Sequence, residues 1–262
     1  MHNDEAVKSL LQNRRFLYEL LFRVFAAEPD EALLAVLRDD HVVGECAYLD
    51  DALIEEAGAG GDAACGEGVV AAGDASGDAG AAGAACGTAL VEAARAATVD
   101  GLRSEYTHQF IGPASLPAPP WESVFRAQKP VLFQESTLAV RAAYRAAGFK
   151  AAGYPHEADD HLATELSFMA ALAEQTLAAA EGTDDSDGSG TDGTAASVER
   201  FAVLVDVQRR FLDEHLLVWI DEYAFRLTDA AGPRSVYAAA ASVAALVCRR
   251  DSDLLAELAA LD

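Results

Sequence analysis

The segment HEADDHLATELSFMAAL, His156 to Leu172, is the densest run of polar side chains with chemical potential in the sequence. His161 and Glu165 are four residues apart, which places both on one helix face. Asp159 and Asp160 stand just before them. There they open a predicted helix from Asp159 to Ala180, where carboxylates complement the helix dipole. One chemical reading makes Asp160, His161 and Glu165 ligands of a metal ion in a helical enzyme. Di-iron bundles, however, use Glu-x-x-His on two helices, and the sequence offers no second helix of that kind. The other reading is N-capping with a buried His–carboxylate hydrogen bond, and the spacing favours it. Leu162, Leu166 and Met169 cover one side of the segment and Phe168 and Leu172 another, which predicts a central helix. His215 lies between Phe211 and Trp219 on an apolar stripe and reads as a core histidine. Trp121, Phe125 and Phe133 follow a proline-rich loop; they read either as core or as the lining of a groove for an apolar peptide. No G-x-S-x-G or P-loop motif is present.

Composition narrows the partners. The 262 residues carry 19 Lys and Arg against 43 Asp and Glu, a formal charge of −24. That disfavours nucleic acid and an anionic membrane surface, both of which need clustered cations. It suits either a basic partner or simply a well-solvated surface. Apolar residues make up 52%, and Ala leads them, so helix is favoured over sheet. No apolar run reaches the ~20 residues of a membrane span. Cys46, Cys65, Cys86 and Cys248 form no C-x-x-C pair. Neither a zinc framework nor a secreted disulfide scaffold is indicated, and a reducing cytoplasm fits. Arg14-Arg15-Phe16-Leu17 looks like part of a twin-arginine signal, but Glu19 and Arg23 interrupt the apolar region that should follow. Leu10, Leu17, Leu20, Leu21, Val24 and Phe25 instead fall at helical spacing, and predict an amphipathic first helix.

The elements that must position these residues are all helical. A second helix is predicted from Pro29 to about Arg38 and a third from Tyr48 to Glu56. Gly58 to Gly87, mostly Gly and Ala, reads as a flexible insertion, with helix resuming near Thr88 and running to about Phe110. FIGPASLPAPP, Phe110 to Pro120, reads as an extended loop. Ser136 to Ala147 is the next predicted helix, with Ser136 as N-cap and Gly148 as stop. Thr183 to Thr194 is a second polar tract, within a flexible insertion over 183–194. Val198 to Leu227 is helical with a break near Asp213. Ser235 to Arg249 and Ser252 to Leu258 close the chain as a pair. The expectation is one all-α domain over residues 1–262, with about nine to eleven helices and insertions at 58–87 and 183–194.

Four segments in this order resemble a known family: FIGPASLPAPPWESV, LFQESTLAVRAAYRAAGF, HEADDHLATELSFMAAL and FLDEHLLVWIDEYAFRL. They are similar to the TorD/DmsD family of cytoplasmic molybdoenzyme maturation chaperones, from roughly residue 90 onward. The resemblance implies a TorD-like helical fold, no catalysis, no cofactor and no metal. It implies binding of the twin-arginine leader of a dimethyl-sulfoxide-reductase-like molybdopterin oxidoreductase, as a monomer or a domain-swapped dimer. The leader-binding residues it implies are Pro119, Trp121, Glu122, Glu157, Asp160, His161 and Glu165. Phe133, Ser136 and Arg141 match the following family segment. The family usually has Glu-Pro before its acidic pair, whereas Ala158 follows Glu157 here. An Asp160 or Glu157 carboxylate would take an arginine bidentately, and His161 against the leader would make binding pH-sensitive.

Overall fold

The computed structural model describes residues 2–51, 82–112, 115–126, 135–151, 158–182 and 193–260. Eleven α-helices lie among the described residues: α1 His2–Ala26, α2 Glu31–Leu37, α3 His41–Asp51, α4 Ala82–Ala96, α5 Val99–Tyr106 and α6 Glu122–Arg126. They continue as α7 Glu135–Ala146, α8 Leu162–Glu181, α9 Gly193–Glu214, α10 Ile220–Ala231 and α11 Val236–Ala259. The fold is all-α, and the described residues contain no strand beyond one isolated bridge. The apolar stripe of α1 is buried at Leu10, Leu17, Leu20, Leu21, Val24 and Phe25, and α1 lies along α8. Helix α8 is largely buried, with Leu162, Leu166, Phe168, Met169 and Leu172 all inside and Glu174 facing solvent. Among the described residues no helix is long and apolar enough to cross a membrane.

Several predicted boundaries are corrected. Helix α2 starts after Asp30, whose side chain accepts the Leu33 N–H at 2.7 Å, so Pro29 precedes the cap. Helix α3 begins at His41 rather than Tyr48. Val42, Val43 and Gly44 are weak helix formers, but burial of Val42, Cys46 and Leu49 on one face outweighs their propensity. The first low-complexity tract is helical from Ala82, so its last six residues belong to α4. The reason is close packing: a Cβ at Gly87 would stand 3.0 Å from Cys46 Cβ and Val43 Cα, so only glycine lets α3 and α4 approach this far. Residues 193–194 of the second tract likewise belong to α9. The remainder of both tracts, 58–81 and 183–192, lies outside the described residues. The predicted helix from Thr88 to Phe110 is divided at Thr98, which caps α5 through the Gly101 N–H. Residues Thr107–Ile111 close it as a π-turn. Ser136 sits one residue inside α7, while Gly148, at φ 72°, ends that helix as expected.

The pair predicted for the C-terminal end is one helix, α11, capped by Ser235 through the Ala238 N–H. Its continuity through Asp251 has a visible cause. Asp251 is fully buried and paired with Arg14, itself 1% exposed. Arg14 donates from Nε to Asp251 Oδ1 and from Nη2 to Oδ2, and the Tyr18 hydroxyl donates to the same Oδ2 at 2.7 Å. Arg14 Nη2 also donates to Gln208 Oε1 at 2.6 Å, and Gln208 Nε2 donates to Thr176 at 2.8 Å. One chain of hydrogen bonds thus staples α1, α8, α9 and α11. The would-be signal arginine is a core residue, and its neighbour Arg15 pairs with Glu19 at the surface.

A buried pair that loses one partner leaves an uncompensated charge. Asp251→Ala is expected to destabilise the protein by about 3–5 kcal/mol, measured by urea unfolding. The double variant Arg14→Met/Asp251→Leu is expected to cost clearly less. Equal losses in both would remove the pairing as the origin of the effect.

Candidate functional site

The predicted polar helix begins later than expected, and that shift builds the site. Helix α8 starts at Leu162, so Asp159, Asp160 and His161 lie in the turn before it. His161 is the N-cap: its Nδ1 accepts the Ala163 N–H at 3.1 Å. The backbone around His161 runs antiparallel to Trp121. Glu122 N–H donates to Asp160 O at 3.0 Å, and Leu162 N–H donates to Pro120 O at 2.9 Å. Proline supplies no N–H of its own, so this short bridge ties the loop through its carbonyl. The Trp121 and His161 rings meet edge-to-face at 5.2 Å between centroids.

Asp160 is fully buried, and both its oxygens are occupied. Oδ2 accepts the Ser123 N–H at 2.8 Å, and Oδ1 accepts the Thr137 hydroxyl at 3.0 Å. One carboxylate therefore joins the first turns of α6 and α7 to the entry of α8. Asp159 is bound by Arg141, and its carbonyl accepts the Tyr144 hydroxyl at 3.1 Å. Arg141, matched only by resemblance, thus acts on the turn that carries the site. Tyr144 packs in an aromatic cluster with Phe149, Phe168 and Phe211, and Phe211 packs on His215.

Glu122 and Glu165 are also fully buried. Glu122 takes Arg126 Nη1 at 2.7 Å on Oε1 and His215 Nδ1 at 3.0 Å on Oε2. Arg126 Nη1 reaches on to the Glu214 carbonyl at 2.9 Å. Glu165 Oε2 accepts the Trp219 indole N–H at 3.3 Å. The α9–α10 break falls at His215–Trp219, two residues beyond its predicted place, and delivers both side chains to this cluster. His215 is buried as expected, yet it touches a carboxylate rather than apolar neighbours alone; its spacing on the stripe did not reveal that. Trp121 and Pro119 remain partly exposed, and so do Val124 and Phe125. Arg226 covers the Phe125 ring at 4.6 Å, and Glu222 pairs with Arg226. Glu157 and Phe133 lie outside the described residues.

Asp160, His161 and Glu165 do not converge as metal ligands. Asp160 faces α6 and α7, His161 Nδ1 caps α8, and Glu165 points to Trp219. No group of three His, Cys, Asp or Glu able to hold a metal occurs among the described residues. The metal-enzyme reading is corrected on this geometry.

The nitrate reductase delta subunit family model matches residues 77–224, more than half of the chain. The chain belongs to the nitrate reductase delta subunit family. Among curated relatives, the Tat proofreading chaperone DmsD of Salmonella paratyphi A is 40% identical over 75 residues, 29% of this chain and 37% of that protein. The probable Tat proofreading chaperone DmsD of Haemophilus influenzae is 34% identical over 87 residues, 33% of this chain and 41% of that protein. The chain thus spans about two fifths of the length of these relatives. A putative redox enzyme maturation protein of Archaeoglobus fulgidus aligns over 93% of both chains at 16% identity, with a TM-score of 0.41.

Membership in this family leaves the site to be judged on its electrostatics. Burial lowers the His161 pKa from the ordinary 6.5 to about 4, against the opposing pull of Asp160. The imidazole of the free protein is neutral between about pH 5.5 and 8. Its effect falls on stability. The unfolded chain binds the proton first, so this contribution is complete above pH 6.5 and is lost as pH falls toward about 4. His161→Asn keeps a cap acceptor and is expected to flatten the pH dependence of unfolding free energy in that window. An unchanged slope would assign the dependence to other groups.

Proposed function

We propose that this protein is a molybdoenzyme maturation chaperone, one helical domain working in the cytoplasm without catalysis. It binds the twin-arginine leader of a dimethyl-sulfoxide-reductase-like subunit and holds it until the cofactor is in place. The observation that carries the reading is the contrast at the Pro119–Arg126 segment. Trp121 and Phe125 offer partly exposed aromatic surface, while the Asp160 and Glu122 carboxylates behind them are sealed and paired. Family membership and the named chaperone relatives support it.

The roles divide accordingly. Pro119, Trp121 and His161 form the contact face. Asp160, Glu122 and Glu165 shape that face from behind. The bidentate grip expected of Asp160 has no vacant oxygen to use. Glu214 and Glu222, exposed beside Arg126 and Arg226, are better placed to meet guanidinium groups; Glu157 is implied by resemblance. Exposed ion pairs contribute only about 0–1 kcal/mol, so charge sets encounter and specificity. Burying ~400 Å² of apolar leader gives ~10 kcal/mol gross. Ordering the leader offsets about 2–5 kcal/mol of that, and lost translational freedom offsets more. The outcome is reversible capture, as a chaperone that hands its client onward requires.

Calorimetric titration with synthetic leaders tests the proposal. A twin-arginine leader is expected to bind saturably, and a Lys-Lys or scrambled leader is not. Trp121→Ala is expected to weaken binding about thirtyfold, the scale of an aromatic hot spot, with helical content intact. Equal binding of all three leaders, or an unaffected Trp121→Ala, would sink the assignment.

A further inference from the structure

Two buried carboxylates behind Trp121 have unequal partners. Glu122 has an arginine on one oxygen and a histidine on the other. Glu165 has one neutral donor, the indole of Trp219, and its Oε1 has no partner. Both residues are fully buried, and after burial itself the charge of Glu122 is what acts most strongly on Glu165. Two ionised carboxylates in such a dry place repel strongly. A proton on Glu165 relieves that repulsion and turns the orphaned Oε1 into a hydrogen-bond donor. The partners are unequal: Arg126 and His215 both meet Glu122, whereas Glu165 meets one neutral donor and carries the proton.

We propose that Glu122 and Glu165 hold a single proton between them, and that it latches the Pro119–Arg126 segment onto α8 and the α9–α10 junction. Removing it at alkaline pH places two charges against each other and releases the segment. Glu165 is a positioning residue in this scheme. The consequence for binding rests on the leader-binding reading above; the latch itself does not.

The surroundings leave Glu165 as the responsive group. Burial pushes its carboxyl well above the usual range, and the charges of Glu122 and Asp160 act in the same direction. Arg126 faces the pair from α6, and His215 and Trp219 face it from the junction. Asp160 is pinned by Ser123 and Thr137, and His161 is already neutral. Among the described residues, Tyr144 of α7, Tyr223 of α10 and Cys248 of α11 are further titratable neighbours. Burial raises all three, which keeps them protonated.

The chain has two tryptophans, Trp121 and Trp219, so Trp121→Phe leaves Trp219 as a reporter hydrogen-bonded to Glu165. Its emission is followed in the full-length protein from about pH 7 to 10. A reversible one-proton change is expected, and it is expected to vanish in Glu165→Gln, whose amide still accepts from Trp219. A flat profile, or the same transition in Glu165→Gln, would overturn the latch. Should that variant fail to fold by circular dichroism, Glu122→Gln serves: without the facing charge, the midpoint falls by at least about one pH unit, and an unmoved midpoint overturns the proposal. In a second arm, affinity for a twin-arginine leader falls about tenfold or more across the transition in the otherwise wild-type protein, and in Glu165→Gln the affinity, whatever its value, no longer changes with pH. No leader binding at any pH, with the emission change intact, overturns the leader-binding reading and leaves the shared proton standing.

Discussion

A carboxylate removed from water must be paired, and Asp160 meets that demand with donors from two other segments. The rest of the site depends on this. The Ser123 N–H is a free donor because it belongs to the first turn of α6, and the Thr137 hydroxyl is available because it lies in the first turn of α7. Asp160 gathers both ends against the start of α8. The loop before α6 is rich in proline, so its backbone has few N–H groups with which to anchor itself. Its anchor is a carbonyl instead: Pro120 O accepts from Leu162 at the bridge between Trp121 and His161. A proline loop gives a stiff, extended shape, and Asp160 gives it an address.

The same physical demand is met elsewhere by a different device. Arg14 and Asp251 join helices far apart in sequence, with Tyr18 and Gln208 completing the shell. That network is sealed and has charge against charge, so it serves helix register. The network behind Trp121 has more carboxylates than cations: Glu122, Asp160 and Glu165 against Arg126 and a histidine. Such an imbalance is costly as pure scaffolding. Of these groups Glu165 is the one whose burial raises its carboxyl well above the usual range, and it sits behind the partly exposed aromatic face.

The helical class was legible because periodic apolar positions and scarce strand formers agree along the chain. The polar segment around Asp160 and His161, and the Pro–Trp loop, were legible as a pair by resemblance. Their contact was not: Trp121 and His161 are forty positions apart, and a two-residue bridge leaves no period in a sequence. Asp160 and His161 looked like the first turn of a helix because acidic residues favour that place. The structure puts them one step earlier, where their side chains cap and cross-link instead. Helix α4 was hidden by composition. Gly87 is poor for an isolated helix but necessary where α3 and α4 touch, so packing reversed the sign of local propensity. Arg14 was hidden by its spacing, since an arginine within an amphipathic helix reads as surface until its partner, Asp251, is known.

Under the proposed function, the formal charge of −24 and the sealed site carboxylates together constrain how a basic leader would be recognised. A net field of this sign draws a cationic peptide toward the protein, but at physiological salt it fades over about 8 Å. It therefore acts on encounter and cannot by itself choose a leader. The choice must be made at contact distance, and there the buried acids are unavailable to the ligand. What remains is a partly exposed aromatic surface with exposed carboxylates at its edge. Such a surface discriminates by the shape of the apolar stretch and by the placement of the arginines relative to it. Long-range attraction is then generic to basic segments, while selectivity depends on how firmly the loop is held from within. Variation in the buried partners would tune selectivity without altering any residue that the leader touches.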